Sequence, residues 1–212
     1  GLPGYFDFNQ QNDISSGYSD ELNRFGYFGQ LNTYKGVLLL LKAAYLLQEK
    51  GIRNFVVNLY GANLENQPDE FQKEFALFHE KVRDLVHIRG SYRQSELGTL
   101  MLETDWVVVP SIWWENSPVV IQEALFYGRP VIGSNIGGTA EKTEGQGGVT
   151  FTARSENSLA GVMQKAIGNT ALHQALTLQI PMPATAADCA ATHIALYHEV
   201  VAAGANCREV LA

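Results

Sequence analysis

Trp106-Val-Val-Val-Pro110-Ser-Ile-Trp-Trp-Glu115-Asn-Ser-Pro118-Val-Val-Ile-Gln-Glu123-Ala-Leu-Phe-Tyr127-Gly-Arg-Pro130-Val-Ile-Gly133 holds one complete folding unit. A run of β-branched residues stops at Pro110, and a polar loop follows. Pro118 then stands where the first turn of a helix is expected, a position that tolerates proline because its missing N–H has no intrahelical partner anyway. A helix is predicted from about Pro118 to Tyr127, and a second apolar run starts at Pro130. Strand, loop, helix and strand in that order, with both strands nearly continuous Val and Ile, describe a parallel sheet buried on both faces.

The same alternation extends in both directions. Upstream lie Phe25-Gly-Tyr-Phe, a helix from about Lys35 to Lys50, Phe55-Val-Val-Asn-Leu-Tyr60 and a helix near Asp69 to Lys81. Leu85-Val-His-Ile and a short helix from about Ser95 complete that half. Downstream, a weaker strand at Gly148-Val-Thr-Phe precedes a helix opened by Ser155, a residue that caps helix N-termini well. Pro181 and Pro183 then break the chain, and a last helix is expected over about Ala184 to Ala203. The fold class is α/β, a Rossmann-like doubly wound parallel sheet. Residues 1–23 read as a linker or irregular leader, 24–180 as the domain proper and 181–212 as a terminal helix.

Composition narrows the possibilities. The 212 residues are 46% hydrophobic and 17% charged, with a net charge of −7, enough apolar matter for a core and too acidic for broad nucleic-acid or anionic-membrane binding. The most apolar run, Val37 to Leu47, is interrupted by Lys42 and falls well short of the roughly twenty residues that span a bilayer. No secretory signal opens the chain, and the Gly1-Leu-Pro start reads as a piece of a longer protein. Cys189 and Cys207 are read as reduced thiols of a cytoplasmic protein. His79, His87, His173, His193 and His198 show no metal-ligand spacing, so no metal is expected.

In such sheets ligands sit where strands end and helices begin. Three of those loops carry chemistry. In Gly29-Gln-Leu-Asn-Thr-Tyr-Lys35-Gly36, a lysine at a helix start opposes the macrodipole unless an anion lies between it and the backbone amides; a solvated lysine is the simpler alternative. Glu115 and Glu123 flank the next helix start, two acceptors placed for a ligand with a central anion and hydroxyls on either side. Gly128 to Glu141 reads as a glycine-rich turn that brings backbone close to a ligand, or as turn chemistry alone. There is no G-x-G-x-x-G fingerprint and no P-loop, which disfavours a simple dinucleotide or NTPase reading. Ser111 has no nucleophile-elbow context, so a hydrolase is not expected. Of Trp113 and Trp114, one is expected to pack and the other to line the site.

Taken together, Gly29 to Gly36, the E-x7-E pair Glu115 and Glu123, and Gly137-Gly138-Thr-Ala-Glu141 resemble the signatures of retaining GT-B-type glycosyltransferases of family 4, over about residues 24 to 165. The resemblance implies the C-terminal, donor-binding half of a GT-B fold, involved in polysaccharide biosynthesis. It implies transfer of a hexose, with retention, from a UDP- or GDP-sugar, without a required cofactor. Lys35 and Glu115 would be catalytic: Lys35 would pair with the diphosphate and Glu115 would hold the hexose. Glu123 would accept from the ribose, and the amides of Asn116 and Ser117 would face sugar and phosphate. Arg89 and Gly90 would border the base, while Gly29, Gln30, Gly61, Ser111 and Pro118 would complete the donor site. The family usually has Arg where this chain has Gln30, which donates a hydrogen bond but lacks the charged bidentate fork.

The resemblance also implies an acceptor-binding domain preceding residue 1, so this fragment alone is expected to transfer nothing. That domain would bind a sugar or lipid-linked glycan acceptor, receive the terminal helix, and carry any peripheral attachment to the inner membrane. The alternatives are a non-catalytic nucleotide-binding or interaction module, or a nucleotide-sugar epimerase or sugar-phosphate synthase on the same scaffold.

Overall fold

The computed structural model describes residues 21–181 and 186–209. Six parallel strands form one sheet: β1 (Arg24–Phe28), β2 (Val56–Tyr60), β3 (Val86–Gly90), β4 (Trp106–Val109), β5 (Val131–Ser134) and β6 (Gly148–Phe151). Their spatial order is β3-β2-β1-β4-β5-β6. The chain first winds outward from β1 to β3, then returns to β4 on the other side of β1. That reversal makes the β1–β4 junction the topological switch point, where two crossover helices diverge and leave a crevice.

Each side chain position picks a face, because successive residues of a strand point to opposite sides. Phe25, Tyr27, Val57, Leu59, Trp106, Val108 and Ile132 pack with helices α1 (Val37–Glu49), α2 (Asp69–Val82) and α6 (Glu156–Ala166). On the opposite face Phe28, Tyr60, Val107, Val109 and Val131 pack with α3 (Leu97–Leu102) and α4 (Val119–Phe126). The domain therefore has two cores, one per face, as a doubly wound sheet requires.

The end of the sheet where β1 and β4 begin is closed by a polar clamp. Asp105 is fully buried and accepts from the Arg24 guanidinium at 2.7 Å and from the Arg24 backbone N–H at 2.9 Å. Helix α7 (Thr170–Thr177) joins there: His173 Nε2 donates to the Asp105 carbonyl at 3.1 Å, and its ring meets Trp106 edge-on at 5.0 Å. Trp106 in turn donates to the Leu22 carbonyl at 3.2 Å.

Several boundaries differ from expectation. Lys35 does not begin α1; it lies in the turn before it. Gly36, at φ 72°, caps the helix in the left-handed region, and a Cβ there would fall 1.8 Å from the Pro110 carbonyl oxygen. Pro118 is the N-cap of α4, one residue before the first helical position. Arg89 and Gly90 are the last residues of β3 and not a loop: Gly90 pairs with Tyr60, and Arg89 is the extra residue at the irregularity opposite Leu59/Tyr60. The Gly137-Gly138 turn is the start of a helix, α5 (Gly137–Thr143). Helix α7 was not anticipated; its N-cap is Asn169, whose side chain accepts from Leu172 N.

The last helix, α8, runs Ala186–Glu209, and the expected start at Ala184, like Pro183, lies outside the described residues. Residues 21–181 belong to one compact unit and α8 to a second. No described helix is long and apolar enough to cross a membrane. Cys189 is exposed and free, whereas the side chain of Cys207 lies outside the described residues, as do residues 1–20 of the expected leader.

Candidate functional site

The loops at the C-terminal edge of the sheet are joined side to side by backbone hydrogen bonds. Gly61 N–H donates to the Gly90 carbonyl at 2.8 Å and Gly29 N–H to the Tyr60 carbonyl at 2.9 Å, linking the ends of β3, β2 and β1. Ile112 N–H donates to the Tyr34 carbonyl at 2.9 Å, and Gly138 N–H to the Glu115 carbonyl at 2.7 Å. These bonds tie the β1, β4 and β5 loops into one rim. Gly138 is required there by packing: a Cβ at that position would lie 1.8 Å from the Asn116 carbonyl oxygen.

Within the β1 loop, Lys35 N–H donates to Asn32 Oδ1 at 2.9 Å, an Asx-type turn. Asn32 Nδ2 donates to Gln30 Oε1 at 3.0 Å, which fixes the amide orientation and leaves the Gln30 Nε2 as its donating end. Tyr27 Oη donates to the Gln30 carbonyl from below. Tyr27 is buried, and that burial, reinforced by the Glu115 charge, pushes its phenol far above the ordinary range, so it acts only as a neutral donor.

Across the switch point, Lys35 Nζ lies 2.7 Å from Glu115 Oε2. The other carboxylate oxygen, Oε1, accepts a short hydrogen bond from Ser111 Oγ. Ser111 is buried at the end of β4, so it serves to orient Glu115. Lys35, Glu115, Asn116 and Ser117 line a cleft of about 400 Å³, with Tyr34, Trp113 and Trp114 at its margin. Both tryptophans are exposed, so neither packs into the core as one was expected to. A loop this short, pinned through Ile112 and Glu115, has no room to fold a large ring beneath itself.

Glu123 occupies different surroundings. It is 8% exposed on the inner side of α4, and Gln94 Nε2 is 3.5 Å from its Oε1. Burial raises its carboxyl pKa, and the Gln94 contact opposes that shift. The neighbouring Tyr92 phenol is pushed up to about 12 by burial and by the Glu123 charge. Gln94 and Tyr92 carried no sequence signal, since their relevance comes from the position of the β3–α3 connection. Arg89 is apart from the Lys35–Glu115 group but shares a trough with Tyr92: its Nε donates to Asn58 Oδ1 at 2.8 Å, on the sheet face. It lines a trough of about 990 Å³ with Arg24, His87 and Glu103. The structure thus gathers Lys35, Ser111, Glu115, Asn116 and Ser117, sets Glu123 nearby on α4, and leaves the Arg89 side chain outside.

The family model of the glycosyl transferases group 1 matches residues 23–169, most of the chain and all of the rim. The chain belongs to this family. A glycogen synthase of Thermus thermophilus is 31% identical over 140 residues, covering 65% of this chain and 30% of that protein. Among solved structures, sucrose-phosphate synthase of Thermosynechococcus elongatus superposes with a TM-score of 0.70 at 23% identity, covering 88% of this chain and 47% of that one. Anabaena HepE, crystallised with UDP, superposes with a TM-score of 0.62 at 20% identity, covering 86% and 48%. The C-terminal domain of LpcC, a group 1 glycosyl transferase from Francisella tularensis, gives 0.60 at 17%, covering 73% of this chain and 80% of that domain. The fold is the Rossmann-like C-terminal half of the GT-B architecture, and the chain spans less than half the length of the full-length relatives it matches.

Proposed function

We propose that this domain binds a nucleotide-diphosphate sugar and presents its hexose for transfer, with retention, to a carbohydrate or lipid-linked glycan acceptor held by a further domain. The observation that carries the reading is the Lys35–Glu115 pair at the switch point, 2.7 Å apart and backed by Ser111. One cation and one acceptor fixed side by side suit the two ends of a sugar diphosphate: phosphate against Lys35, hexose hydroxyls against Glu115. Donor binding then replaces a cation–carboxylate contact by cation–diphosphate and carboxylate–hydroxyl contacts.

The diphosphate gains charge as the sugar leaves. Once the donor has displaced Glu115 from Lys35, that cation and the backbone N–H groups at the start of α4 meet the charge. Preorganised groups of this kind stabilise the transition state without having to reorient as the bond breaks. Glu123 takes the ribose hydroxyls, with Gln94 holding its carboxylate. Gln30 donates from its amide end where a charged side chain would add more. A UDP- or GDP-sugar is the donor, and the UDP and UDP-glucose complexes of the structural neighbour HepE favour UDP.

Calorimetric titration with UDP, GDP and ADP tests this, with wild type beside Lys35→Ala. Saturable binding of one nucleotide, weakened in the variant, supports the site. Equal affinity of wild type and Lys35→Ala for that nucleotide overturns it.

A further inference from the structure

Three aromatic side chains stand out of the rim where a folding chain gains nothing from them. Tyr34 is 60% exposed, Trp113 59% and Trp114 72%. Burying one large apolar side chain is worth about 1.5–3 kcal/mol, and this patch forgoes that for all three. Exposed apolar patches rimmed by polar groups mark interaction sites. We propose that Tyr34, Trp113 and Trp114 form a stacking platform for one pyranose ring of the acceptor carbohydrate, this domain's share of an acceptor site whose remainder the further domain holds, beside the sugar-holding carboxylate Glu115; this rests on the donor reading of that cleft.

The rings are held in position. Tyr34 and Trp113 meet edge-on, centroids 5.3 Å apart at 74°. Their backbones are joined through the Ile112-to-Tyr34 hydrogen bond, and Arg154 donates to the Ile112 carbonyl at 3.3 Å from the other side. Trp114 lies against the backbone of Gly137, where an added Cβ would come within 3.1 Å of its Cε3. Rings supported in this way offer flat faces at small ordering cost.

A saccharide matches this surface in both of its aspects. One face of a pyranose presents C–H groups of slightly positive character, which pack on the negative face of an aromatic ring. Its edge presents hydroxyls, for which Asn116 stands in the same cleft, while Glu115 is given to the donor hexose. A nucleobase would also stack. The trio, however, borders Lys35 and Glu115 and does not share a cleft with Glu123, the residue assigned to ribose.

The full-length protein is titrated with methyl α-glucoside, maltotriose and cellotriose, with and without UDP, following binding by calorimetry. Wild type shows a saturable change with one of these sugars. Trp114→Ala and Trp113→Ala weaken it by about tenfold and weaken UDP by much less, and Trp114→Phe retains it. A panel in which no sugar gives a saturable change overturns the proposal, as does unaltered sugar affinity in both alanine variants. UDP affinity falling in step with sugar affinity also overturns it, by assigning the rings to the nucleotide. Sugar binding with wild-type failure to bind UDP keeps the platform and removes the donor reading.

Discussion

Lys35 Nζ and Glu115 Oε2 lie 2.7 Å apart across 80 positions of sequence, so the cation proposed for a diphosphate is already engaged by a carboxylate. The two groups must be separated in function when their roles are tested. Lys35→Ala removes a charged donor to phosphate, an interaction worth about 1.5–3 kcal/mol, and should weaken nucleoside diphosphate binding by roughly 10- to 100-fold. Glu115→Gln should do the reverse for the bare nucleotide. A partly exposed ion pair is worth at most about 1 kcal/mol, so releasing Lys35 tightens UDP by no more than about fivefold, while UDP-glucose loses its advantage over UDP. Calorimetry with both ligands on both variants reads this directly.

Glu123 carries a conflict between function and stability. Burial raises its carboxyl pKa in the fold, so the folded state holds the proton more tightly than the unfolded chain. Its contribution is fully favourable below the unfolded value of about 4.3 and is lost as pH rises through the folded value. Glu123→Gln should therefore raise the melting temperature at neutral pH, with the gain vanishing as the solution is acidified. Nucleotide affinity should fall in the same variant. Melting curves across that range, beside titrations at neutral pH, check both halves.

His173 should impose the opposite dependence in a higher window. Burial lowers its imidazole pKa, although the Asp105 carbonyl and charge pull the other way. The unfolded chain takes up the proton first, so stability is complete above the ordinary value of about 6.5 and declines as pH falls through it toward the folded value. His173→Phe keeps a ring against Trp106 but cannot titrate. It should melt lower than wild type at about pH 7.5, and its melting temperature should change less between there and about pH 5.5. Scanning calorimetry of the two proteins at both pH values decides it.

Gly138→Ala places a Cβ 1.8 Å from the Asn116 carbonyl oxygen, so either α5 or the loop carrying Glu115 must move. Overpacking of this kind costs about 1–3 kcal/mol. The displaced Asn116 and Ser117 amides should also weaken UDP-glucose more than UDP. Chemical denaturation paired with calorimetry distinguishes the two effects.

The sheet was legible because its central strands are buried on both faces, and Trp106 to Val109 or Val131 to Gly133 leave no polar position to confuse the period. Helix α5 was hidden by Gly137 and Gly138, which read as a turn; the first is at φ 51° and the second is there for close approach, and neither prevents helix from following. Helix α7 had a readable start in Asn169, but its eight residues hold only His173 and Leu176 as buried positions, too few to set a period. Among the site residues, Lys35, Glu115 and Glu123 stood out by type and context. The orienting role of Ser111 did not, because a serine that positions a carboxylate four residues on has no motif. The side-chain direction of Arg89 was not legible, because it depends on that residue's being the extra one in β3 at the irregularity opposite Leu59/Tyr60.

The rim is joined through main-chain groups, from Gly90 across Gly61, Gly29 and Tyr34 to Glu115 and Gly138. Such bonds are indifferent to which side chains the loops carry. Gln30, Trp113 and Trp114 can therefore be exchanged in descent without dismantling the frame that holds them, and only positions such as Gly36 and Gly138 are barred from change by space. A family can drift in donor and acceptor preference, one residue at a time, on a scaffold that stays still.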